Sequence, residues 1–340
     1  MTRQISVGNV KIGGGAPISV QSMTNTDTKD AAATLMQIER LYKAGCDIVR
    51  VTVPDKEAAE AMKEICGKSP IPVVADIHFD YRLALASIEA GVSKVRINPG
   101  NIGDMEKVKA VALSAKSNGV PIRIGVNGGS LEKDLGSPTP ENMVESAKRH
   151  IKMLEDCGFY DMAVSLKSSD VKTTVEAYRL ASKSFDYPLH VGVTEAGTSY
   201  SGIIRSAAGI GSLLLDGIGD TLRVSLTADP VEEIKAGIEL LKTLDLRGGA
   251  KLISCPTCGR TKINLIEIAN EVQKRLISVN KDITVAVMGC VVTGPGEAKE
   301  ADIGIAGGKG EALLFKKGVI ERKIPEEKII DELFSEIEKM

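Results

Sequence analysis

Three cysteines and a glutamate near the C-terminus carry the strongest chemical signal in this sequence. Cys255 and Cys258 form a C-x2-C pair, which places two thiolates on one tight loop where both can bind a single metal centre. Cys290 follows the apolar run 283–288, so a predicted strand brings a third sulfur near the first two. Glu297 is the nearest carboxylate downstream and follows a Gly-Pro-Gly turn. Three sulfurs are one short of a closed four-cysteine site.

Two kinds of metal centre and one metal-free arrangement fit these residues. A structural zinc site takes four nitrogen or sulfur ligands, but no histidine follows His190 and no fourth cysteine lies in this segment. An iron–sulfur cluster held by three cysteines leaves one iron for an oxygen or exchangeable ligand, so that iron is a Lewis acid as well as an electron carrier. We favour the cluster, with zinc and plain thiols as the alternatives. The other cysteines lie at or near helix–strand junctions, which is typical of small buried hydrophobes: Cys46, Cys66 and Cys157.

The rest of the chain must position this chemistry, and its repeating pattern predicts a barrel. Between residues 18 and 227, short apolar runs alternate with stretches of helical periodicity, as in 32–43. Eight such β/α units favour a (β/α)8 TIM barrel, with a doubly wound open sheet as the alternative. A polar, glycine-containing boundary at 245–250 separates the predicted barrel domain, residues 1–246, from a small α+β domain, residues 247–340, which contains the candidate cluster ligands. The predicted barrel strands are 18–23, 47–53, 73–78, 94–98, 122–126, 162–167, 190–194 and 221–226.

Polar side chains interrupt strands that would otherwise read as continuous Val, Ile and Leu in a buried parallel barrel. They usually come in pairs two residues apart, so both members share one face, near the C-terminal strand end where barrel enzymes place their active sites. Cations outnumber the carboxylates Asp76 and Glu195, which predicts a phosphorylated, polyanionic small substrate. Glu195 is the candidate acid/base group. The five cations are Arg50, Arg96, Arg123, Lys167 and Arg223.

Composition excludes several other classes of protein. A net charge of −2 and 3% aromatic residues argue against nucleic-acid binding, which usually needs a basic domain and stacking platforms. The longest apolar runs fall short of the roughly 20 residues that span a bilayer, and the N-terminus lacks the apolar core of a signal peptide. Six cysteines in 340 residues do not make a secreted disulfide scaffold. We therefore expect a cytoplasmic protein.

The assembled motifs resemble one family closely, the bacterial 4-hydroxy-3-methylbut-2-enyl diphosphate synthases of the methylerythritol phosphate route to isoprenoids. The resemblance runs nearly end to end and shows no departure at a position that the family uses. The chain is similar to the compact two-domain form, without the inserted domain of plant-type relatives. The motifs are VQSMTNTD (20–27), VADIHFD (74–80), KVRINPGNIG (94–103), IGVN (124–127), VTEAG (193–197), GIGDTLRVSLT (217–227), SCPTCGRT (254–261) and MGCVVTGPGEA (288–298).

The resemblance implies a [4Fe–4S] cluster on Cys255, Cys258, Cys290 and Glu297, with Glu297 able to leave the iron during catalysis. It implies a two-electron reductive dehydration that opens 2-C-methyl-D-erythritol 2,4-cyclodiphosphate to (E)-4-hydroxy-3-methylbut-2-enyl diphosphate. Flavodoxin or ferredoxin would supply the electrons, and Glu195 would handle protons. The residues implied for diphosphate binding are Arg50, Arg96, Arg123, Asn127, Lys167, Arg223 and Ser225.

Chain geometry predicts a head-to-tail homodimer. Helices of a barrel run back from the mouth, so the last one ends at the far end, and a boundary of six residues spans at most about 20 Å. The small domain would then serve the partner's barrel. Two rival functions remain open: a cluster-free or zinc-bearing phosphosugar aldolase or isomerase using Lys167 as a Schiff-base lysine, and a non-enzymatic iron–sulfur sensor or nucleic-acid regulator.

Overall fold

The computed structural model describes residues 1–292, 296 and 298–340. The chain divides into two compact units, Met1–Leu246 and Arg247–Met340. The first opens with a hairpin of β1 (Ile5–Val7) and β2 (Val10–Ile12), paired in antiparallel fashion.

Parallel strands then form a barrel, as the sequence predicts. The strands neighbour one another in chain order, and β10 returns to pair with β3. A parallel bridge between Val164 and Leu189 joins the two ends of the sheet. At that seam Tyr178 accepts a hydrogen bond from the Leu166 amide at 3.0 Å and donates to the His190 carbonyl at 2.5 Å. The barrel strands are β3 (Ser19–Met23), β4 (Ile48–Thr52), β5 (Val73–Asp76), β6 (Lys94–Ile97), β7 (Ile122–Asn127), β8 (Met162–Lys167), β9 (His190–Val191) and β10 (Thr221–Leu222).

Helices follow the strands and cover the barrel with apolar stripes. Most of them begin at an aspartate whose carboxylate accepts a backbone N–H of the first turn, as at Asp30, Asp55 and Asp104, because the first amides of a helix lack intrahelical partners. These caps fix where each helix starts after the mouth-side loop. The helices are α1 (Ala31–Lys43), α2 (Lys56–Lys68), α3 (Tyr81–Glu89), α4 (Met105–Ser117), α5 (Pro140–Glu155), α6 (Val171–Ser184), α7 (Ser199–Leu215) and α8 (Pro230–Thr243).

The N-terminal hairpin closes the barrel at the end where the strands begin. Ile5, Val7 and Ile12 form a separate buried cluster with Ile48, Val74 and Ala163, which lie near the starts of three strands. At the opposite end, Asp76, Asn127 and Lys167 are the last residues of their strands.

The second unit has a mixed sheet in its described part. Strands β11 to β13 are parallel, and β14 and β15 continue the sheet in antiparallel fashion. Apolar residues of α9 and α10 pack with the sheet into one core. The elements are β11 (Lys251–Ser254), α9 (Leu265–Leu276), β12 (Thr284–Met288), β13 (Ile303–Gly307), β14 (Glu311–Lys316), β15 (Val319–Pro325) and α10 (Ile329–Lys339).

Candidate active site

Strand alternation sends the polar side chains into the barrel. Val49, Val51 and Ile97 belong to the core between the strands and the helices, so their neighbours in sequence face the interior. The ladders then set these inward residues side by side: Asp76 beside Arg96, and Arg96 beside Arg123. The ladders therefore bring Asp76, Arg96 and Arg123 together in one buried region.

Asp76 is the carboxylate at the centre of this region. Its side chain lies 3.2 Å from Arg96, 3.6 Å from Arg50 and 3.5 Å from His78. Burial alone would raise the pKa of Asp76, but Arg50, His78 and Arg96 together hold that pKa well below its usual range. Asp76 is therefore ionised at neutral pH and anchors two of the predicted substrate-binding arginines.

Arg96 depends on a glycine for its place. A Cβ on Gly125 would lie 2.3 Å from Arg96 Nε, so only glycine leaves room for the guanidinium group. Arg96 Nη2 donates to the Gly125 carbonyl at 3.4 Å. With the Asn127 amide oriented to satisfy both its ends, its oxygen accepts from Arg96 Nη2 at 3.1 Å. The side chains of Asn127 and Arg96 are thus in contact near the C-terminal end of β7.

Arg123 is 1% exposed, and not all of its hydrogen-bond donors are paired within the described residues. Its Nη1 donates to Ser165 Oγ at 2.6 Å. Its Nε and Nη2 have no hydrogen-bond partner among the described residues. Buried donors of this kind are costly unless an acceptor reaches them, which is the situation that a bound phosphate oxygen resolves.

The Lys167 side chain packs against a glycine, as that of Arg96 does. A Cβ on Gly192 would lie 2.9 Å from Lys167 Nζ. Burial lowers the pKa of Lys167 well below its usual value, and Arg123, Arg50 and Arg223 add to that effect. The amine is buried among cations, so it gains most from an incoming anion.

Arg223 is held by a carboxylate that the sequence analysis did not identify. Glu233 of α8, 3% exposed, contacts Arg223 Nε and Nη2, each at 3.2 Å. It also accepts from Ser22 Oγ at 2.8 Å and the Leu226 amide at 3.0 Å. Glu233 lies on the buried face of α8 with Ile234. A glutamate on the apolar face of a helix was the sequence feature that could have identified this carboxylate.

Two predicted residues lie closer to solvent. Ser225 is half-buried after β10, and Glu195 is exposed in the loop that follows β9. The Glu195 backbone has a φ of 52°, a left-handed conformation that is uncommon for a residue with a side chain. The loop thus holds Glu195 in a strained backbone conformation.

The charge balance of the interior is strongly positive. The predicted cations are joined by Lys94, fully buried at the start of β6. Six inward basic side chains face two carboxylates, Asp76 and Glu233, so basic groups outnumber acidic ones among the described residues. Such an excess of basic groups favours binding of a polyanion electrostatically.

The cysteine site is built on two adjacent parallel strand ends. Ser254 of β11 pairs with Val287 of β12, so Cys255 and Cys290 leave the same edge of the sheet. The Gly289 amide donates to Cys255 Sγ at 3.1 Å. Cys258 is exposed. Its backbone amide donates a hydrogen bond to Thr261 Oγ1 at 3.1 Å, which fixes the loop at this position.

The donor chemistry of these residues suits an iron–sulfur cluster. An N–H···S hydrogen bond is a contact by which proteins tune cluster sulfurs, and no cysteine of the chain forms a disulfide. Glu297 lies outside the described residues. Within the described residues, no three cysteine, histidine or carboxylate side chains already stand close enough to hold a metal ion. The three cysteines therefore match a cluster in donor type, and the assignment of Glu297 as the fourth ligand stays a prediction.

The remaining cysteines differ from this set. Burial raises the pKa of Cys46 to about 12, and the same effect raises the pKa of Cys66 to about 12. Cys157 is half-buried after α5. High thiol pKa values go with packing rather than metal binding.

Comparison with known proteins covers both units. Residues 2–238 match the family model described as the GcpE TIM-barrel domain, and residues 251–339 match the GcpE protein C-terminal domain. A protein of Geobacter sulfurreducens is 61% identical over 344 residues, covering 100% of this chain and 98% of that protein. One of Clostridium perfringens is 60% identical over 342 residues, covering 99% and 98%. Both are named 4-hydroxy-3-methylbut-2-en-1-yl diphosphate synthase (flavodoxin).

Solved structures share the barrel alone. Dihydropteroate synthase of Yersinia pestis superposes with a TM-score of 0.52 at 13% identity, covering 72% of this chain and 100% of that one. The Xanthomonas albilineans enzyme gives a TM-score of 0.51 at 14% identity, covering 71% and 97%. Such low identity indicates a common fold and nothing about chemistry. Among the described helices, none combines the length and apolar character that a bilayer crossing requires.

Proposed function

Because this chain belongs to the GcpE family, we propose that it is a 4-hydroxy-3-methylbut-2-enyl diphosphate synthase. It converts 2-C-methyl-D-erythritol 2,4-cyclodiphosphate to (E)-4-hydroxy-3-methylbut-2-enyl diphosphate, with two electrons and loss of water. The observation that carries this proposal is the 61% identity to a protein of that name across the whole chain. The cationic barrel interior supports it, because the substrate is a diphosphate.

The barrel's own residues bind and orient the diphosphate. Arg123 offers two buried donors without a protein partner among the described residues, and Arg96 and Arg50 are aligned by Asp76. Guanidinium groups bind phosphate oxygens in bidentate fashion. The residues assigned to the diphosphate are Arg50, Arg96, Arg123, Asn127, Lys167, Arg223 and Ser225.

Cys255, Cys258, Cys290 and Glu297 would hold a [4Fe–4S] cluster. When bound, such a cluster supplies electrons and one iron with an exchangeable, carboxylate-ligated position. The adjacent ends of β11 and β12 support this assignment, since they bring two sulfurs to one edge.

Proton handling falls to Glu195. Loss of the substrate hydroxyl as water requires a proton, and a carboxyl oxygen of Glu195 donates it in this proposal. The left-handed backbone at Glu195 supports a functional role, because strained residues cluster at active sites.

Flavodoxin is the proposed electron donor, as in the names of the relatives, and ferredoxin would serve equally as a low-potential carrier. A head-to-tail homodimer is proposed for the assembly. In support, α8 runs back from the mouth and ends at Thr243, and seven residues separate it from Lys251, where β11 begins.

The test measures iron, acid-labile sulfide and zinc per chain in anaerobically purified protein. Wild type should contain about four irons and four sulfides and should form the allylic diphosphate with reduced flavodoxin. Cys290→Ala should lose the cluster, whereas the control Cys157→Ala should retain it. One zinc and no sulfide after anaerobic reconstitution would refute the redox mechanism.

One observation favours a second function. The buried Lys167, with its lowered pKa, has the property of a Schiff-base lysine in a phosphosugar aldolase. Borohydride trapping of a carbonyl substrate on the wild type, lost in Lys167→Arg and insensitive to Cys290→Ala, would support the aldolase over the synthase.

A further inference from the structure

A layer of polar side chains lies deeper in the barrel than the predicted substrate-binding residues. These side chains stand at or near the starts of their strands and are no more than 3% exposed. Each has at least one side-chain nitrogen or oxygen without a hydrogen-bond partner among the described residues. We call them the inner polar layer. They are Ser19, Gln21, Lys94, His190 and Thr221.

The ladders and the hairpin define where this layer sits. Thr221 pairs with both His190 and Ser19, and Lys94 pairs with Val74. Val74 belongs to the apolar cluster under the N-terminal hairpin. The layer therefore lies between that apolar floor and the arginines of the mouth.

Lys94 is the one residue of this layer that normally carries a charge. It shares a strand face with Arg96, two residues or roughly 6.6 Å further along β6. Its Nζ has no partner among the described residues, and no described carboxylate forms an ion pair with it. A buried ammonium without an acceptor is strongly disfavoured, so the amine either stays neutral or acquires an anion.

The surroundings of Lys94 are mostly cationic. The charged or titratable side chains on the inner faces of the barrel are Arg50, Asp76, Arg96, Arg123, Lys167, His190 and Arg223, and the Glu233 carboxylate reaches Arg223 from α8. Burial lowers the pKa of Lys94 well below its usual value, and Arg123 and Arg50 lower it further. Asp76 is already engaged by two arginines.

We propose that Lys94 is the inner cation of the diphosphate site: it is a neutral amine in the free enzyme and takes up one proton from solvent when the anion binds. The proton adds to the Nζ lone pair, no substrate bond changes, and the new ammonium donates to a phosphate oxygen from below. This inference rests on the proposed function for the identity of the substrate. It explains why an amine is buried without a partner among the described residues.

Calorimetric titration tests the proton uptake directly. The cluster-loaded enzyme, without reductant, is titrated with the cyclodiphosphate in buffers of equal pH and different ionisation enthalpy. Wild type should take up protons on binding. Lys94→Met should take up about one proton fewer and bind about 10- to 100-fold more weakly, the usual effect of losing a hydrogen bond to a charged group.

A matched variant separates Lys94 from its titratable neighbour. His190→Gln removes the other group of the layer that can accept a proton, because burial and Lys167 lower the pKa of His190 well below its usual range. It should keep the wild-type proton count. Uptake that persists in Lys94→Met and disappears in His190→Gln would overturn the proposal.

Thermal unfolding gives a second readout that does not depend on turnover. Because Lys94→Met removes a buried amine without a described partner, the substrate-free variant should melt at a higher temperature than wild type, with a smaller gain on adding substrate. Lys183→Met, on the exposed side of α6, should change neither value. A destabilised Lys94→Met with unchanged affinity would make Lys94 purely structural.

Failure of the proposed function would give a different result from failure of the Lys94 proposal. A cluster-loaded wild type that neither binds nor converts the cyclodiphosphate refutes the synthase assignment. The same titrations with inorganic diphosphate then decide the Lys94 proposal: proton uptake lost in Lys94→Met supports it, and no Lys94-dependent uptake overturns it.

Discussion

Glu233 forms a bidentate ion pair with Arg223, whose Nε and Nη2 each lie 3.2 Å from a carboxylate oxygen. The glutamate comes from the last helix of the barrel and the arginine from the last strand region. A buried fork-to-fork pair of this kind fixes the direction of the guanidinium. Arg223 is therefore positioned before any substrate arrives.

Glu233→Gln should weaken both stability and catalysis. The change leaves Arg223 as a buried charge without its counterion, which typically costs about 3 kcal/mol or more. Urea unfolding should show that loss, and kcat/KM should fall about 10- to 100-fold. The neighbouring Glu232→Gln, which affects only an exposed pair with Lys235, is the control and should change little. Equal effects in both variants would contradict a specific role for Glu233.

Gly125→Ala should displace Arg96. The added methyl group would lie 2.3 Å from Arg96 Nε, so the guanidinium must leave its place beside Asp76. We expect KM for the cyclodiphosphate to rise about 10-fold or more, the effect of losing one charged hydrogen bond. Gly67→Ala, in a helix with nothing within 4 Å of the new Cβ, is the control. An unchanged KM in Gly125→Ala would show that Arg96 does not bind substrate.

Asp76 should stabilise the fold in a pH-dependent way. Its pKa in the folded protein is depressed below the unfolded value of about 3.9, so its contribution is fully present above that pH and is lost as the pH falls towards the folded pKa. Unfolding of wild type and Asp76→Asn should differ by a constant amount from about pH 5 to 8 and converge in stronger acid. Asp134→Asn, an exposed pair with Arg149, should behave almost like wild type. A difference that grows on acidification would contradict the assignment.

Two inactive variants should complement each other if the head-to-tail dimer forms. Cys290→Ala lacks a cluster, and Glu195→Ala lacks the proposed acid. In a mixed dimer one composite site is intact, so activity should return to up to about half of the wild-type value. Proven heterodimers without any recovered activity would rule out sites shared between subunits.

The order of the barrel strands was readable from the sequence, but the length of the later ones was not. Residues 190–194 and 221–226 were predicted as strands, whereas β9 and β10 each span two residues. Tyr178 explains part of this difference, because its hydroxyl occupies the seam between Leu166 and His190 in place of ladder hydrogen bonds. Gly192 then makes room for Lys167 rather than continuing a regular strand. Such long-range contacts leave no local signal.

The inward cations were equally accessible, since spacing by two places Arg96 and Asn98 on one face. That spacing also includes Lys94, which the same pattern could have identified. What the sequence could not supply is the partner of each cation: Asp76 serves two arginines, while Glu233 reaches Arg223 from a helix. Pairing of this kind depends on the tertiary packing of α8 against β3 and β10. The cluster site remains a prediction at Glu297, which lies outside the described residues.

The apolar floor beneath the barrel has a consequence for the order of events during turnover. Ile5, Val7 and Ile12 close the end where the strands begin, so in the described part of the chain the interior faces the mouth. Substrate would then enter, and product would leave, by the same end of the barrel. Product that stays in the barrel occupies the position of the next substrate, so accumulated product should slow the enzyme by competing with substrate.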